Sequence, residues 1–376
     1  MPGKDVIKIF VDAHVFDDKF EGTRTFIKEI YTKLSAKADV HLFLGAYDTG
    51  NLENIFPAKG NITFVKYKTK SSLIRLLFDI PFIIKKYKIR YAHFQYVTPW
   101  IKNCRFIVTT HDLLFNDHPR EFPFLYRYTR NFFFKKAALK ADILTTVSAY
   151  SRNAISRYFH IKEEEIHIIP NAVSNLFFAD YDKKNAKNYV KEKFSVEKII
   201  LLVSRIEPRK NHALLLRAFL ELELYRRGFN LVFVGKESIK TPDLEKGIHD
   251  LPEEVKPFVH RFSEVDENDL LTFYRAAELF VYPSRAEGFG IPPLEAGAVK
   301  TPVLCSNSSA MSAFTFFGAN HFNPDDFALL KKRMIHNVDN VPGKIEVENI
   351  SETIKQNYDW AKSAAILYDL IKTDHT

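Results

Sequence analysis

The feature that most constrains this chain is an alternation that runs twice. Short apolar runs are separated by stretches of helical periodicity, which is the signature of parallel sheets joined by crossover helices. In the first half Ile7–Ala13, His41–Ala46, Asn61–Tyr67, Tyr91–Tyr96, Arg105–Thr110, Asp142–Val147 and Glu165–Ile169 read as strands. Helical patterns over Thr23–Lys37, Ser72–Lys88, Phe124–Leu139 and Ala149–Phe159 lie between them, and Thr23 is placed to cap the first. A lysine-rich stretch, Asp180 to Lys193, reads as a linker or a solvated helix. The alternation then restarts, with strands at Lys198–Ser204, Asn230–Gly235, Phe258–Ser263, Leu279–Pro283 and Thr301–Ser306 and helices at Ala213–Arg226, Asp266–Ala277 and from Pro292. Two such series predict two doubly wound α/β domains. Ligands of such sheets sit at the carboxyl ends of the strands, so the loops there are the ones to search, and a central cleft is expected to collect both sets.

At 376 residues the chain exceeds one ordinary core, and 46% hydrophobic residues can fill two. The opening residues carry charge early and then read as a strand, not as a secretion signal. No uncharged stretch is long enough to span a bilayer. Cys104 and Cys305 form neither a disulfide framework nor a zinc spacing, so a reducing, cytoplasmic setting is expected. The net charge of +8 is unevenly placed. Between Lys66 and Arg90 eight basic residues face only Asp79, leaving +7, and Arg127, Arg130, Lys135, Lys136 and Lys140 follow without an acid among them. Such clusters suit an anionic lipid surface, a phosphorylated acceptor or nucleic acid; no nucleic-acid motif accompanies them, and nucleic acid is not expected as a partner.

Four segments carry the chemistry. In Tyr282 to Ala296 a strand ends, a glycine turn follows, and a helix starts at Pro292 and Pro293. Gly288 and Gly290 allow close backbone approach, and the amides of Phe289, Gly290 and Ile291 are placed to meet an anion at the helix N-terminus. Glu287 and Glu295, eight residues apart, supply carboxylates that accept from hydroxyls, the groups that sugars and riboses present. The bland alternative makes Glu295 a helix-dipole partner and Glu287 a surface acid. In Leu201 to Asn211 a second strand delivers Arg205 and Lys210, two cations that suit a diphosphate, with Asn211 as a cap for the next helix. Against this stands a merely solvated basic turn. The third segment, Ile107 to Leu114, brings His111 and Asp112 to a strand end, where either can touch a hydroxyl or move a proton, although a lone His is more often structural. The fourth, Asp17 to Arg24, opens a helix at Gly22 and permits phosphate or acceptor approach. The acid pairs Asp17-Asp18 and Asp325-Asp326 lack a third ligand, so no metal is expected; a P-loop, a nucleophile elbow and a dinucleotide fingerprint are also missing.

Jointly these segments resemble glycosyltransferase family 4, the large retaining GT-B family, in its bacterial mannosyltransferase-like branch. The resemblance rests on Thr110-His111-Asp112, Val147-Ser148, Ile169-Pro170-Asn171-Ala172, Arg205 and Lys210. It continues in Glu287-Gly288-Phe289-Gly290 with Glu295 and in Tyr358-Asp359-Trp360-Ala361-Lys362. It implies a GT-B fold, two doubly wound Rossmann-like domains facing a central cleft. Residues 1–180 would form the acceptor-side domain, 181–357 the nucleotide-sugar domain, and helix 358–376 would pack back on the first. It further implies that Glu295 holds the ribose hydroxyls and Glu287 the donor-sugar hydroxyls. Arg205 and Lys210 would neutralise the leaving diphosphate, helped by the amides of Phe289, Gly290 and Ile291. His111 would meet the donor sugar, with Asp112 and Gly22 also on the donor. The expected donor is GDP-mannose, with no cofactor and no metal. The expected acceptor is a saccharide or lipid-linked saccharide of cell-surface polysaccharide synthesis.

The chain departs from the family pattern in four places. Glu21 and Thr23 flank a single Gly22, Ala172 follows Asn171, Val299-Lys300 stand for Cys-Gly, and Ser312-Ala313 for Pro-Glu. Two other classes remain open from sequence: a sugar-nucleotide 2-epimerase on the same architecture, and a non-enzymatic membrane or nucleic-acid binding protein. The basic segment Lys66 to Arg90, which also holds Leu73, Ile74, Leu76, Leu77, Phe78, Ile80, Phe82, Ile83 and Ile84, suggests peripheral contact with an anionic membrane; the alternative turns those residues inward. Because Glu287 falls in a loop, Glu287→Ala is expected to stop transfer and leave the fold intact.

Overall fold

The computed structural model describes residues 6–17, 22–56 and 60–375. It divides into two compact units: 1–172 with 360–376, and 173–359. The change of unit falls after Ala172 and before Trp360, rather than at 180 and 358.

The first unit is built on a seven-stranded sheet, ordered β3-β2-β1-β4-β5-β6-β7, with every pairing parallel. Its strands are β1 Ile7–Asp12, β2 Val40–Ala46, β3 Ile62–Lys66, β4 Tyr91–Gln95, β5 Arg105–Thr109, β6 Ile143–Thr146 and β7 Ile166–Ile168. They are near-continuous apolar runs because helices cover both sheet faces. Helix Gly22–Leu34 buries Phe26, Ile27, Ile30, Tyr31 and Leu34 at helical spacing. Thr23 does not cap this helix; it lies one residue inside it and is buried. Ser148 caps Ala149–Phe159 by accepting from the Ser151 amide. The expected helix from Ser72 is broken by a π turn, Arg75–Asp79, before Ile80–Tyr87. That turn sends the Arg75 and Asp79 side chains inward, where both are buried. The last helix, Trp360–His375, packs on Gly22–Leu34. Leu367 and Ile371 are fully buried, and Tyr368 and Lys372 donate to Asp39.

The second unit has a six-stranded parallel sheet, ordered β10-β9-β8-β11-β12-β13. Its strands are β8 Ile199–Val203, β9 Asn230–Val234, β10 Val259–Phe262, β11 Leu279–Tyr282, β12 Val303–Ser306 and β13 His321–Phe322. The lysine-rich stretch is a true helix, Lys183–Phe194. Asp182 caps it by accepting from Lys184 and Asn185, and Ala186 and Val190 bury one stripe. The helix expected to reach Arg226 ends at Glu221, because Glu223 takes a left-handed conformation and a 3₁₀ turn follows. In both sheets the first strand's two neighbours carry the chain away in opposite directions, which places the switch point beside β1 and beside β8.

Candidate active site

Two loops of the second unit meet at the carboxyl edge of its sheet. After β8, the 3₁₀ turn Pro208–Lys210 aims Arg209 and Lys210 inward, and Asn211 closes it at φ 64°. Asn211 does not cap the following helix with its side chain, as its type suggested; its amide donates to the Pro283 carbonyl at 3.3 Å. The Arg285 amide donates to the Arg209 carbonyl at 2.8 Å, so the loops after β8 and β11 are fastened together. Gly235, at the end of β9, approaches β8 so closely that a Cβ would lie 2.1 Å from the Ser204 carbonyl oxygen.

Glu287 is the hub. It is only 7% exposed. Its Oε1 accepts from Lys210 Nζ at 2.5 Å, Ser284 Oγ at 2.7 Å and Tyr282 Oη at 3.0 Å, and its Oε2 accepts from Arg209 Nη1 at 3.1 Å. Arg209 also pairs with the buried Glu207. Burial by itself would raise the Glu287 pKa. The charges of Lys210 and Arg209 and the bonds from Lys210 and Ser284 outweigh it and hold the carboxyl at about 2. Burial, with Arg209 nearby, brings Lys210 down to about 8 even though Glu287 and Glu207 oppose the change. Lys210 spends two donors on Glu287 and Tyr282, which leaves its third for a ligand.

Beside this cluster begins helix Ile291–Ala298, with Gly290 as N-cap at φ 99° and no side chain capping it. Among the described residues, Phe289, Gly290 and Ile291 give their amides to no backbone carbonyl. Pro292 and Pro293 have no N–H, so the free donors of this helix end are concentrated in those three residues. Phe289 is anchored edge-on against Phe314 and Tyr358. Glu295, half-buried on the same helix, accepts from Tyr274 Oη at 2.8 Å. Burial pushes its pKa up to about 7, against the lowering bond from Tyr274.

The second unit therefore brings Glu287, Lys210 and the Phe289–Ile291 amides to one edge. Arg205 is not part of that cluster: it is exposed and forms no ion pair among the described residues. The buried cation beside Lys210 is Arg209. Arg209, Glu207, Tyr282 and Ser284 were all missed. The surface-acid reading of Glu287 fails because the residue is buried against two cations, and that burial removes the ground on which Glu287→Ala was expected to leave the fold intact.

The first unit has its own polar chain, at the carboxyl ends of β4 and β5. His111 Nε2 donates to Gln95 Oε1 at 2.6 Å, and Gln95 Nε2 donates to His93 Nε2 at 3.1 Å. His93 Nδ1 meets Tyr31 Oη at 2.5 Å. Phe26 stands edge-on to the His111 ring. Burial lowers the pKa of His111 to about 4 and that of His93 to about 3, so both rings are neutral at pH 7. With Nε2 committed to Gln95, His111 Nδ1 has no partner among the described residues and can accept from a hydroxyl. Asp112 accepts from the Leu114 amide at 3.2 Å, two residues before the short helix Leu114–Asp117. Gly22 is the exposed first residue of Gly22–Leu34, with open space where a Cβ would stand. Within the fourth segment, positions 18–21 lie outside the described residues; Asp17 accepts from the Tyr47 and Asp48 amides. A second buried cluster ends β1, where Asp12 accepts from Tyr67 and pairs with His14 and Arg75. Despite its burial, those charges and bonds hold Asp12 well below the usual carboxylate range. Among the described residues no three His, Cys, Asp or Glu side chains gather as a metal site, and no helix is long and apolar enough to cross a membrane.

Two parallel sheets, each with a polar cluster at its carboxyl edge, define a tandem Rossmann-like protein of the GT-B class. The model of Glycosyltransferase Family 4 matches residues 20–175, and that of Glycosyl transferases group 1 matches residues 183–315. The chain thus carries a glycosyltransferase family 4 domain followed by a glycosyl transferases group 1 domain. It is 30% identical over 241 residues to the O-antigen chain mannosyltransferase RfbU of Salmonella typhimurium, covering 63% of this chain and 62% of that one. It thus spans less than two thirds of the length of the curated relatives it matches. Its fold is that of the sucrose-phosphate synthase of Thermosynechococcus elongatus, at 18% identity with TM-score 0.77 over 98% of both chains. It is also that of Anabaena HepE, whose structure holds UDP and glucose, at 14% identity with TM-score 0.73 over 98% of this chain and all of that one.

Proposed function

We propose that the chain is a glycosyltransferase that moves a hexose from a nucleoside diphosphate to a saccharide or lipid-linked saccharide acceptor, with retention of configuration and without a metal. Mannose from GDP-mannose is the donor we favour, because the mannosyltransferase RfbU is among its relatives. The observation that carries the reading is the buried Glu287–Lys210–Arg209 cluster lying next to an uncapped helix N-terminus. The free amides of Phe289, Gly290 and Ile291 and the third donor of Lys210 can cradle a diphosphate, and the exposed Arg205 can close over it. Negative charge grows on that diphosphate as the glycosidic bond breaks, so fixed donors there act mainly on the transition state. Glu287 is a poor nucleophile at its depressed pKa, and Oε2, which has a single protein donor, is left to accept from a donor-sugar hydroxyl. Glu295 holds the ribose hydroxyls, His111 Nδ1 accepts from a sugar hydroxyl, and Asp112 and Gly22 assist on the donor. The acceptor proton passes to the departing phosphate.

The test is a donor screen by thermal unfolding. GDP-mannose should raise Tm more than UDP-glucose or UDP-N-acetylglucosamine, because a ligand that binds only the folded chain stabilises it by mass action. A chain that none of the three stabilises would refute the donor assignment.

A further inference from the structure

Three helical segments pack on the same face of the first unit's sheet: the helix running from Ser72 through the π turn to Tyr87, Phe124–Lys140, and Ala149–Phe159. Ile83 of the first, Phe134 of the second and Ile155 of the third share one apolar core with Phe10, Phe94 and Phe106 of the strands. Their outer sides therefore form a common surface. That surface is unusually apolar for one facing water. Phe124 is 73% exposed and Tyr128, Phe132 and Leu139 follow along the same helix, while Leu73, Phe78 and Phe82 are exposed on its neighbour. The loop after β4 adds Trp100, 52% exposed, and Ile101. Lys140 Nζ donates to the Trp100 carbonyl at 2.6 Å, and Lys136 Nζ stands 3.4 Å from the Trp100 ring centre, so this loop is fixed to the end of Phe124–Lys140.

The charge is as one-sided as the apolarity. The three segments hold ten basic residues and one acid, Asp79; Arg75 is buried beside Asp12 and Arg152 and Arg157 pair with Glu163 and Asp117, which leaves seven basic residues for the surface. Asp79 is buried and accepts from the Lys68 amide at 2.9 Å, so it does not offset the surface charge. Lys85, Lys86, Arg127, Arg130, Lys135 and Lys136 have no carboxylate partner among the described residues. Aromatic side chains interleaved with unpaired cations on helices that lie flat against a sheet match the headgroup layer of an anionic bilayer. There rings take the interface, aliphatic residues reach the acyl boundary, and cations meet phosphate. Single-stranded nucleic acid also takes basic and aromatic surfaces, but by stacking bases in a groove. Leu73, Ile101, Leu125 and Leu139 cannot stack, and they lie exposed among the rings.

We propose that this helical face of the first unit docks on an anionic lipid bilayer, with Trp100, Phe124 and Phe132 seated at headgroup depth. The surface joins both basic clusters of the sequence, Lys66–Arg90 and Arg127–Lys140, and adds the exposed rings of Phe124–Lys140. It does not depend on the proposed transfer reaction, and binding alone tests it.

The chain has two tryptophans, and Trp360 is buried, so Trp100 is the natural reporter. The full chain is mixed at low salt with phosphatidylglycerol-containing vesicles, with pure phosphatidylcholine vesicles, and with a single-stranded oligonucleotide. The proposal expects a blue-shifted emission, quenched by brominated acyl chains, with the anionic vesicles only. The signal should vanish in Trp100→Phe while that variant still sediments with the vesicles, and Arg127→Glu with Arg130→Glu should lower the partition coefficient by about 10-fold or more. A shift that survives in Trp100→Phe, equal binding to both vesicle types, or binding to the oligonucleotide instead would overturn it. So would a vesicle-free dimer that Phe124→Ser and Phe132→Ser dissolve, since the face would then belong to a second copy. Circular dichroism of each variant separates lost docking from lost folding.

Discussion

Replacing Glu287 by Gln keeps the side-chain volume and removes one negative charge from a buried cluster of two cations and two anions. Lys210 and Arg209, each less than a tenth exposed, are then left with Glu207 as the remaining anion. Removing one partner of a buried ion pair typically costs about 3–5 kcal/mol, because the other charge stays desolvated. The depressed pKa gives a consistent figure. A carboxyl lowered from 4.5 to about 2 corresponds to about 3 kcal/mol of stability at neutral pH. For a unit near 190 residues, about 2–4 °C of Tm accompanies each kcal/mol, so Glu287→Gln should lower Tm by roughly 10 °C. The sign in pH follows from the same shift. The folded pKa lies below the unfolded one, so the contribution is present above about pH 4.5 and is lost as pH falls toward 2. Calorimetry of the parent and variant between pH 2.5 and 7 reads both effects, and the two curves should converge at the acid end. The double variant Glu287→Gln with Lys210→Met should be less destabilised than its two single changes summed, because each removes the charge that the other leaves exposed to burial. A Glu287→Gln Tm within 2 °C of the parent at pH 7 would refute the reasoning, since the cluster would then carry no net coupling.

The other predictions concern chemistry. Lys210→Met should slow transfer by about 100- to 1,000-fold, whereas Arg209→Lys should also lower stability, because an ammonium cannot bridge Glu207 and Glu287 as the guanidinium does; steady-state rates beside melting curves separate the two. GDP affinity should fall as pH drops below about 7, where the raised Glu295 becomes protonated and can no longer accept from both ribose hydroxyls, and Glu295→Gln should flatten that profile by titration calorimetry. A Glu295→Gln profile as steep as the parent's would assign the dependence elsewhere. Adding EDTA should leave turnover unchanged, and a metal-dependent restoration after dialysis would count against the leaving-group mechanism.

The sheets were legible because parallel strands covered on both faces are written as unbroken apolar runs, and β1 to β12 follow such runs within a residue or two. β13 was not, since His321–Phe322 is too short to show any period. Helix Lys183–Phe194 was half-legible: its lysines look solvated in the sequence, and only Ala186 and Val190 mark the buried stripe. In the site, Glu287, Glu295 and Lys210 could be read because a glycine turn, a double proline and a strand end frame them. Arg209 and Glu207 could not, because charged neighbours in a turn look solvated until the fold buries them against Glu287. His93 and Gln95 left a fainter trace: two polar residues at alternate positions of a buried strand share one face, and that face turns out to carry His111.

The most direct test of the account is acceptor-dependent release of GDP from GDP-mannose, followed by the anomeric configuration of the product from its one-bond C1–H1 coupling. The account predicts that the parent releases GDP when a saccharide acceptor is supplied, that the new linkage keeps the donor's α configuration, and that Lys210→Met is at least about 100-fold slower. Release that needs no acceptor, a β-linked product, or equal rates in parent and variant would contradict it.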